Sequence, residues 1–181
     1  MRKSCFLLFL LILISFLFMQ SVYGGNLVVI LETNRGLIEI ELMPDVAPQA
    51  CKNFTTLVSS GYYDGIIFHR VIQNFMIQGG DPTGTGMGGS SIWGAPFEDE
   101  VNPNVVFDKP GIVAMANSGP NTNGSQFFIT TAPAPWLNLK YTIFGKVVSG
   151  FDTVRIIEST QTDAQDKPII EEKIIRAYLK N

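Results

Sequence analysis

The chain is poor in the residues that covalent catalysis relies on. It has one histidine, His69, and two cysteines, Cys5 and Cys51. A Ser-His-Asp or Cys-His enzyme would need His69 as its base. Arg70 follows at once, and its charge disfavours protonation of the imidazole. With apolar Phe68 and Val71 nearby, His69 reads as a hydrogen-bonded structural histidine. One histidine and one cysteine in the mature chain also fall short of a zinc shell. No acidic spacing marks a carboxylate pair. Glu98-Asp99-Glu100 reads as a solvated turn, because adjacent carboxylates diverge and supply no fixed metal shell.

Basic clusters are missing too. Net charge is −3 with 13 Lys and Arg against 16 Asp and Glu, which argues against nucleic acid as a partner. There are no internal repeats and no long linkers. Gly84-x-Gly86-x-x-Gly89 matches a dinucleotide fingerprint by letter, but Ser90 to Gly94 cannot open the helix that would hold a pyrophosphate. No lysine completes a phosphate loop.

The first residues form a separate segment. Met1-Arg2-Lys3 is basic, Phe6 to Met19 is apolar apart from Ser15, and Gln20 to Gly24 ends on a small residue. That is the layout of a secretory signal peptide, residues 1–24. Its apolar run of about fourteen residues is short of the roughly 20 that a membrane span needs; an uncleaved anchor is the rival reading. Cleavage would remove Arg2 and Lys3 and move the net charge to about −5. Cys5 would leave as well, so Cys51 has no intrachain partner and is expected in the core. The mature domain, 25–181, is thus expected outside the cytosol, in a periplasm or secreted, with no membrane attachment. Asn53-Phe54-Thr55 and Asn123-Gly124-Ser125 are glycosylation sequons by letter, and unmodified asparagine is expected at Asn123.

Strand and helix signals alternate along the mature chain. Leu27 to Thr33 is an apolar strand, Asn34-Arg35-Gly36 a turn, and Leu37 to Met43 the return strand. In that return strand Ile38, Ile40 and Leu42 alternate with Glu39 and Glu41, giving one buried and one wet face. Pro48 suits a first helical turn. Cys51, Phe54, Leu57 and Val58 recur at helical spacing until Gly61. Further strands are expected within 68–81, 111–117, 126–130, 141–148 and 172–179, with a short second helix at Phe151, Val154 and Ile157. The expected fold is mainly β: a closed eight-stranded antiparallel barrel capped by two α-helices. A barrel of this size is filled by its own side chains, so a site would lie outside it, among the loops.

One stretch is chemically distinctive. Phe68 to Asp81 reads as two short strands that carry Arg70 and Gln78 among apolar residues. A guanidinium there either snorkels to water or holds a peptide atom at the edge of an apolar pocket. With Asn117, Gln126 and apolar Phe75, Met76, Phe128, Trp136 and Leu137, the set contains no nucleophile, base, metal or cofactor. Such a set can bind an extended peptide, or catalyse a reaction that breaks no covalent bond.

Phe68-His69-Arg70, Phe75-Met76-Ile77-Gln78-Gly79-Gly80-Asp81 and Met115 to Phe128 resemble the signature blocks of the cyclophilins. The likeness continues through Trp136-Leu137 and Phe144-Gly145-Lys146-Val147, from Leu27 to Leu179 in all. The resemblance implies a cofactor-free peptidyl-prolyl cis-trans isomerase, expected as a monomer acting on proline-containing segments. It implies Arg70 as catalytic residue and Phe75, Met76, Phe128 and Leu137 as the proline-ring pocket. Gln78 and Asn117 would hold substrate backbone, with Ala116 and Gln126 beside them, and Trp136 would contribute to cyclosporin binding. Tyr141 stands where many members have histidine. A non-catalytic proline-peptide receptor or holdase is the alternative.

Overall fold

The computed structural model describes residues 27–180; the expected signal peptide lies outside the described residues. Eight strands form one curled antiparallel sheet: β1 (Val28–Thr33), β2 (Gly36–Leu42), β3 (Arg70–Ile72), β4 (Met76–Gly79), β5 (Ile112–Met115), β6 (Phe127–Thr130), β7 (Ile143–Ser149) and β8 (Ile174–Leu179). Helix α1 (Pro48–Ser59) follows β2, and α2 (Phe151–Glu158) follows β7. The spatial order is β3-β4-β6-β5-β7-β2-β1-β8.

Among the described residues the strand ladder does not run on into the closed barrel expected from the sequence: β3 and β8 are its two edges. They approach across a narrow seam, where Ile67 and Lys173 form an isolated bridge. Phe68 N–H donates to Glu172 O at 2.7 Å, and Ile174 N–H to Ile66 O at 2.9 Å. The segment before β3 departs from strand geometry, so the ladder stops one step short. Glu172 is fully buried at this seam, and Arg35 offsets its charge through Nε at 2.8 Å and Nη2 at 2.7 Å.

The alternation in β2 has its expected consequence. Ile38, Ile40 and Leu42 are buried, while Glu39 and Glu41 reach outward to Lys180 and Lys146. On α1 the apolar face carries Phe54, whose ring lies 5.1 Å from Tyr63, 5.3 Å from Phe127 and 5.0 Å from Phe144. Val154 and Ile157 of α2 enter the same core. Cys51 is buried there as expected, and burial pushes its thiol up to about 12.

Both sequon asparagines are fully buried. Asn53 donates to Gly124 O and accepts from Ile92 N–H, which stitches α1 to two loops. Asn123 donates to Phe97 O, Glu98 O and Asp99 Oδ1.

The central strands are apolar on both faces. Phe127 joins the main core, whereas its neighbour Phe128 joins a second cluster with Met76, Phe107, Ala114, Leu137 and Ile143. Strand pleating sends consecutive side chains to opposite faces. The second cluster therefore lies on the far side of β4, β5 and β6 and forms the floor of an external site.

Glu98-Asp99-Glu100 is not a solvated turn. Lacking a side-chain cap of its own, α1 takes one from Glu100, whose carboxylate accepts Gln49 N–H at 3.0 Å and Ala50 N–H at 2.8 Å. A negative charge at a helix N-terminus satisfies orphan donors and complements the dipole.

Candidate active site

Arg70 and Gln78 are opposite residues of the β3–β4 ladder, so both side chains rise on one side of the sheet. Arg70 keeps 44% of its side chain exposed and stands at the lip of a cavity of about 150 Å³. Phe75, Met76, Phe128 and Leu137 line that cavity, together with Gln78, Ala116, Asn117 and Tyr141. Nine of the eleven predicted site residues thus share one hollow. Phe128 is wedged between Phe107, stacked at 5.9 Å, and Tyr141, edge-on at 5.6 Å. Those contacts fix the floor and the Tyr141 wall.

Gln126 and Trp136 stand beside the cavity. Gln126 is a latch: its Nε2 donates to Gly86 O at 3.0 Å and Gly88 O at 2.8 Å, and its Oε1 accepts from Gln78 Nε2 at 2.9 Å. Trp136, in the single helical turn Pro135–Leu137, is 56% exposed and packs its ring 5.7 Å from Phe75. Pro133 and Pro135 stiffen this loop, so the tryptophan is held at the rim.

The side-chain amide of Asn117 is occupied. Nδ2 donates to Lys140 O at 3.1 Å and Asp99 Oδ1 at 3.3 Å. Among the described residues its main-chain N–H and C=O make no backbone hydrogen bond. The side-chain amide of Asn117 is thus committed within the protein, while its main chain is left without a backbone partner.

Sequence reasoning missed a second hollow of about 300 Å³. It shares Gln78, Ala116 and Asn117 with the first and continues along Gly86 to Gly89, Ser118 and Thr122. Asp81 shapes it. The carboxylate of Asp81 accepts from Thr83 N–H, Thr83 Oγ1, Thr85 N–H, Gly86 N–H and Gly88 N–H, all within 2.7–3.1 Å. Burial pushes the carboxyl up, but the bonds from Thr83, Gly88 and Gly86 together outweigh it and hold it well below the usual carboxylate range. The loop needs Gly80 at its root: φ is 88°, and a Cβ there would meet Ser125 O at 2.5 Å.

His69 is buried, as expected, at 6% exposure. The expected hydrogen bond is missing: both ring nitrogens are buried without a partner among the described residues. Its neighbours Thr83, Thr85 and Gly86 are turned to Asp81. Burial lowers its pKa; Asp81 opposes, and Lys167 and Arg70 reinforce the lowering. His69 lines neither the cavity of about 150 Å³ nor the hollow of about 300 Å³ beside it, so it is not placed as a base for this site. Among the described residues no three His, Cys, Asp or Glu side chains gather as a metal site.

The sequence model described as "Cyclophilin type peptidyl-prolyl cis-trans isomerase/CLD" matches residues 28–179. The chain belongs to this family of isomerases. Among its relatives are "Peptidyl-prolyl cis-trans isomerase-like 1" of Gibberella zeae, 56% identical over 149 residues, covering 82% of this chain and 92% of the relative. The protein of the same name from Homo sapiens is 55% identical over 150 residues, covering 83% and 90%. A crystal structure of a Cryptosporidium parvum cyclophilin-type peptidyl-prolyl cis-trans isomerase superposes with a TM-score of 0.85 at 48% identity, covering 87% of this chain and 99% of that one. A structure of that protein in the presence of the dipeptide Ala-Pro gives a TM-score of 0.83 at 48% identity, covering 85% and 99%. In this cyclophilin the cavity beneath Arg70 is thus an external pocket floored by its own small core.

Proposed function

We propose that this cyclophilin catalyses rotation about X–Pro bonds with Arg70 as the catalytic donor. Rotation about a peptide bond is opposed by roughly 18–20 kcal/mol, because the nitrogen lone pair is delocalised into the carbonyl. X–Pro isomers are nearly balanced yet exchange in tens to hundreds of seconds. As the bond twists, the proline nitrogen becomes pyramidal and gains a localised lone pair. Arg70 donates to that nitrogen, an interaction the planar ground state cannot offer, and such differential binding lowers the barrier. Phe75, Met76, Phe128 and Leu137 grip the ring and exclude water, while the Asn117 main chain holds the peptide.

The observation that carries this reading is one guanidinium at the lip of an apolar cavity. A receptor or holdase needs the cavity but no charged donor above the ring. Exchange spectroscopy on an X–Pro peptide with catalytic amounts of protein separates the two. Accelerated cis–trans exchange is expected; binding without acceleration would favour the receptor.

The chain works as an exported monomer on proline-containing segments of other exported proteins, where slow prolyl steps leave aggregation-prone intermediates. Residues 1–24 are a cleaved signal peptide, in keeping with their charge and apolar pattern and with a family match that begins at residue 28. Mass spectrometry of the mature protein should give Gly25 as its first residue. Cyclosporin would lie against Trp136, with Tyr141 modulating its affinity.

A further inference from the structure

Between α2 and β8 the chain makes a tight loop that closes on itself. Asp163 Oδ1 accepts the N–H groups of Gln165 at 2.8 Å and Lys167 at 3.0 Å. Asp163 N–H donates to Lys167 O at 2.8 Å, and Asp166 N–H to Asp163 O at 3.1 Å. A bridge between Thr162 and Pro168 seals the base. Lys167 Nζ ties the loop to the glycine-rich segment through Gly84 O at 3.2 Å.

At the apex, Asp166 has φ 63°. Non-glycine residues enter this left-handed region at a cost, with aspartate among the more tolerant. A strained residue persists when its surroundings over-determine it. Here it grips β3 twice: its main-chain O accepts Val71 N–H at 2.8 Å, and its carboxylate Oδ2 lies 3.5 Å from Arg70 Nε.

We propose that Asp166 is a positioning residue for Arg70, an inference that rests on the catalytic reading above. The bond to Val71 fixes the Asp166 backbone relative to the strand that carries Arg70, so its carboxylate sits at a set height beside the guanidinium stem. Among the described residues no side chain hydrogen-bonds Arg70. Gln78, its ladder partner, donates to Gln126 instead. Asp166 is therefore the charge that limits where the guanidinium points. The contact is made from the Nε side, and with no side-chain hydrogen bond on the guanidinium among the described residues, its Nη donors are available to substrate. Both side chains are 44% exposed, so the contact biases orientation without immobilising the fork. A bias of this kind matters most when the nitrogen lone pair forms, and it belongs in kcat rather than KM.

The test compares Asp166→Asn and Asp166→Gly with wild type on one X–Pro peptide. Asparagine tolerates the same φ, and glycine relieves it; both keep the main-chain acceptor and remove the charge. Each variant is expected to lose about 3- to 10-fold in kcat, the scale of a loosely held donor, with KM unchanged and melting temperature at or above wild type for glycine. Rising salt from about 0.02 to 1 M should move wild-type kcat toward that of Asp166→Asn, whose own rate stays flat. Wild-type kcat in Asp166→Asn, or a rate loss without salt response that tracks melting temperature, would overturn the proposal. Arg70→Ala run alongside separates the two levels. If Arg70→Ala is inactive and Asp166→Asn is normal, only the positioning role fails; if Arg70→Ala is fully active, both fail.

Discussion

Gln78 faces Arg70 across the β3–β4 ladder but gives its side-chain N–H to Gln126, 2.9 Å away. Through that bond one lip of the cavity is tied to the glycine-rich wall of the neighbouring hollow, because Gln126 also donates to Gly86 O and Gly88 O. The cation and the amide share a lip, yet they are held by different partners.

Gln126→Ala should therefore act on binding. It removes two donors to glycine carbonyls and the acceptor for Gln78, each bond contributing about 0.5–1.5 kcal/mol. We expect KM to rise about 3- to 10-fold with kcat close to wild type, since Arg70 is untouched. Steady-state kinetics check this; a selective loss of kcat would contradict it.

Asp81 holds the glycine-rich loop through six N–H and O–H groups, the longest from Thr85 Oγ1 at 3.4 Å. In Asp81→Asn one acceptor oxygen becomes an NH₂ that confronts donors. A loss of about 2–3 kcal/mol is expected, because bonds to a charged group contribute about 1.5–3 kcal/mol each and some will re-form. Chemical denaturation should give an earlier midpoint with an unchanged slope.

Acid should weaken the fold in two steps. His69 has a folded pKa below its unfolded value of about 6.5, so its neutral burial contributes stability above that pH and is lost as pH falls below it. Burial is the first cause of that lowering. Asp81 is also depressed, and its contribution fades only below the unfolded aspartate value of about 3.9. Thermal melts from pH 8 to 3 should fall in these two windows. His69→Phe, which leaves no imidazole to charge, should flatten the upper one.

Most of the architecture is legible because apolar spacing and turn residues carry it. The period-2 pattern of Ile38, Ile40 and Leu42, and the helical spacing of Cys51, Phe54, Leu57 and Val58, each correspond to one buried face. Signature blocks bring eight site residues to one cavity, and Tyr141 joins them from outside the blocks. What escapes the sequence is tertiary. Glu100 looks like surface charge until α1 is seen to lack its own cap. Asn117 looks like a free amide until Asp99 and Lys140 O are found on it. His69 invites a hydrogen bond, but the nearby polar groups are committed to Asp81. Closure of the sheet depends on how far the Ile66–Phe68 segment departs from a strand, and no residue pattern encodes that.

The central claim is that Arg70 lowers the rotation barrier and does more than bind. Its direct measurement is kcat/KM for an X–Pro peptide with Arg70→Ala and Arg70→Lys, both shown to be folded by their melting curves. Loss of one oriented donor typically lowers rate by about 10²–10³, and that fall is expected for Arg70→Ala. Lysine, a point charge without the planar fork, should recover only part of it. Turnover near wild type in Arg70→Ala would contradict the account.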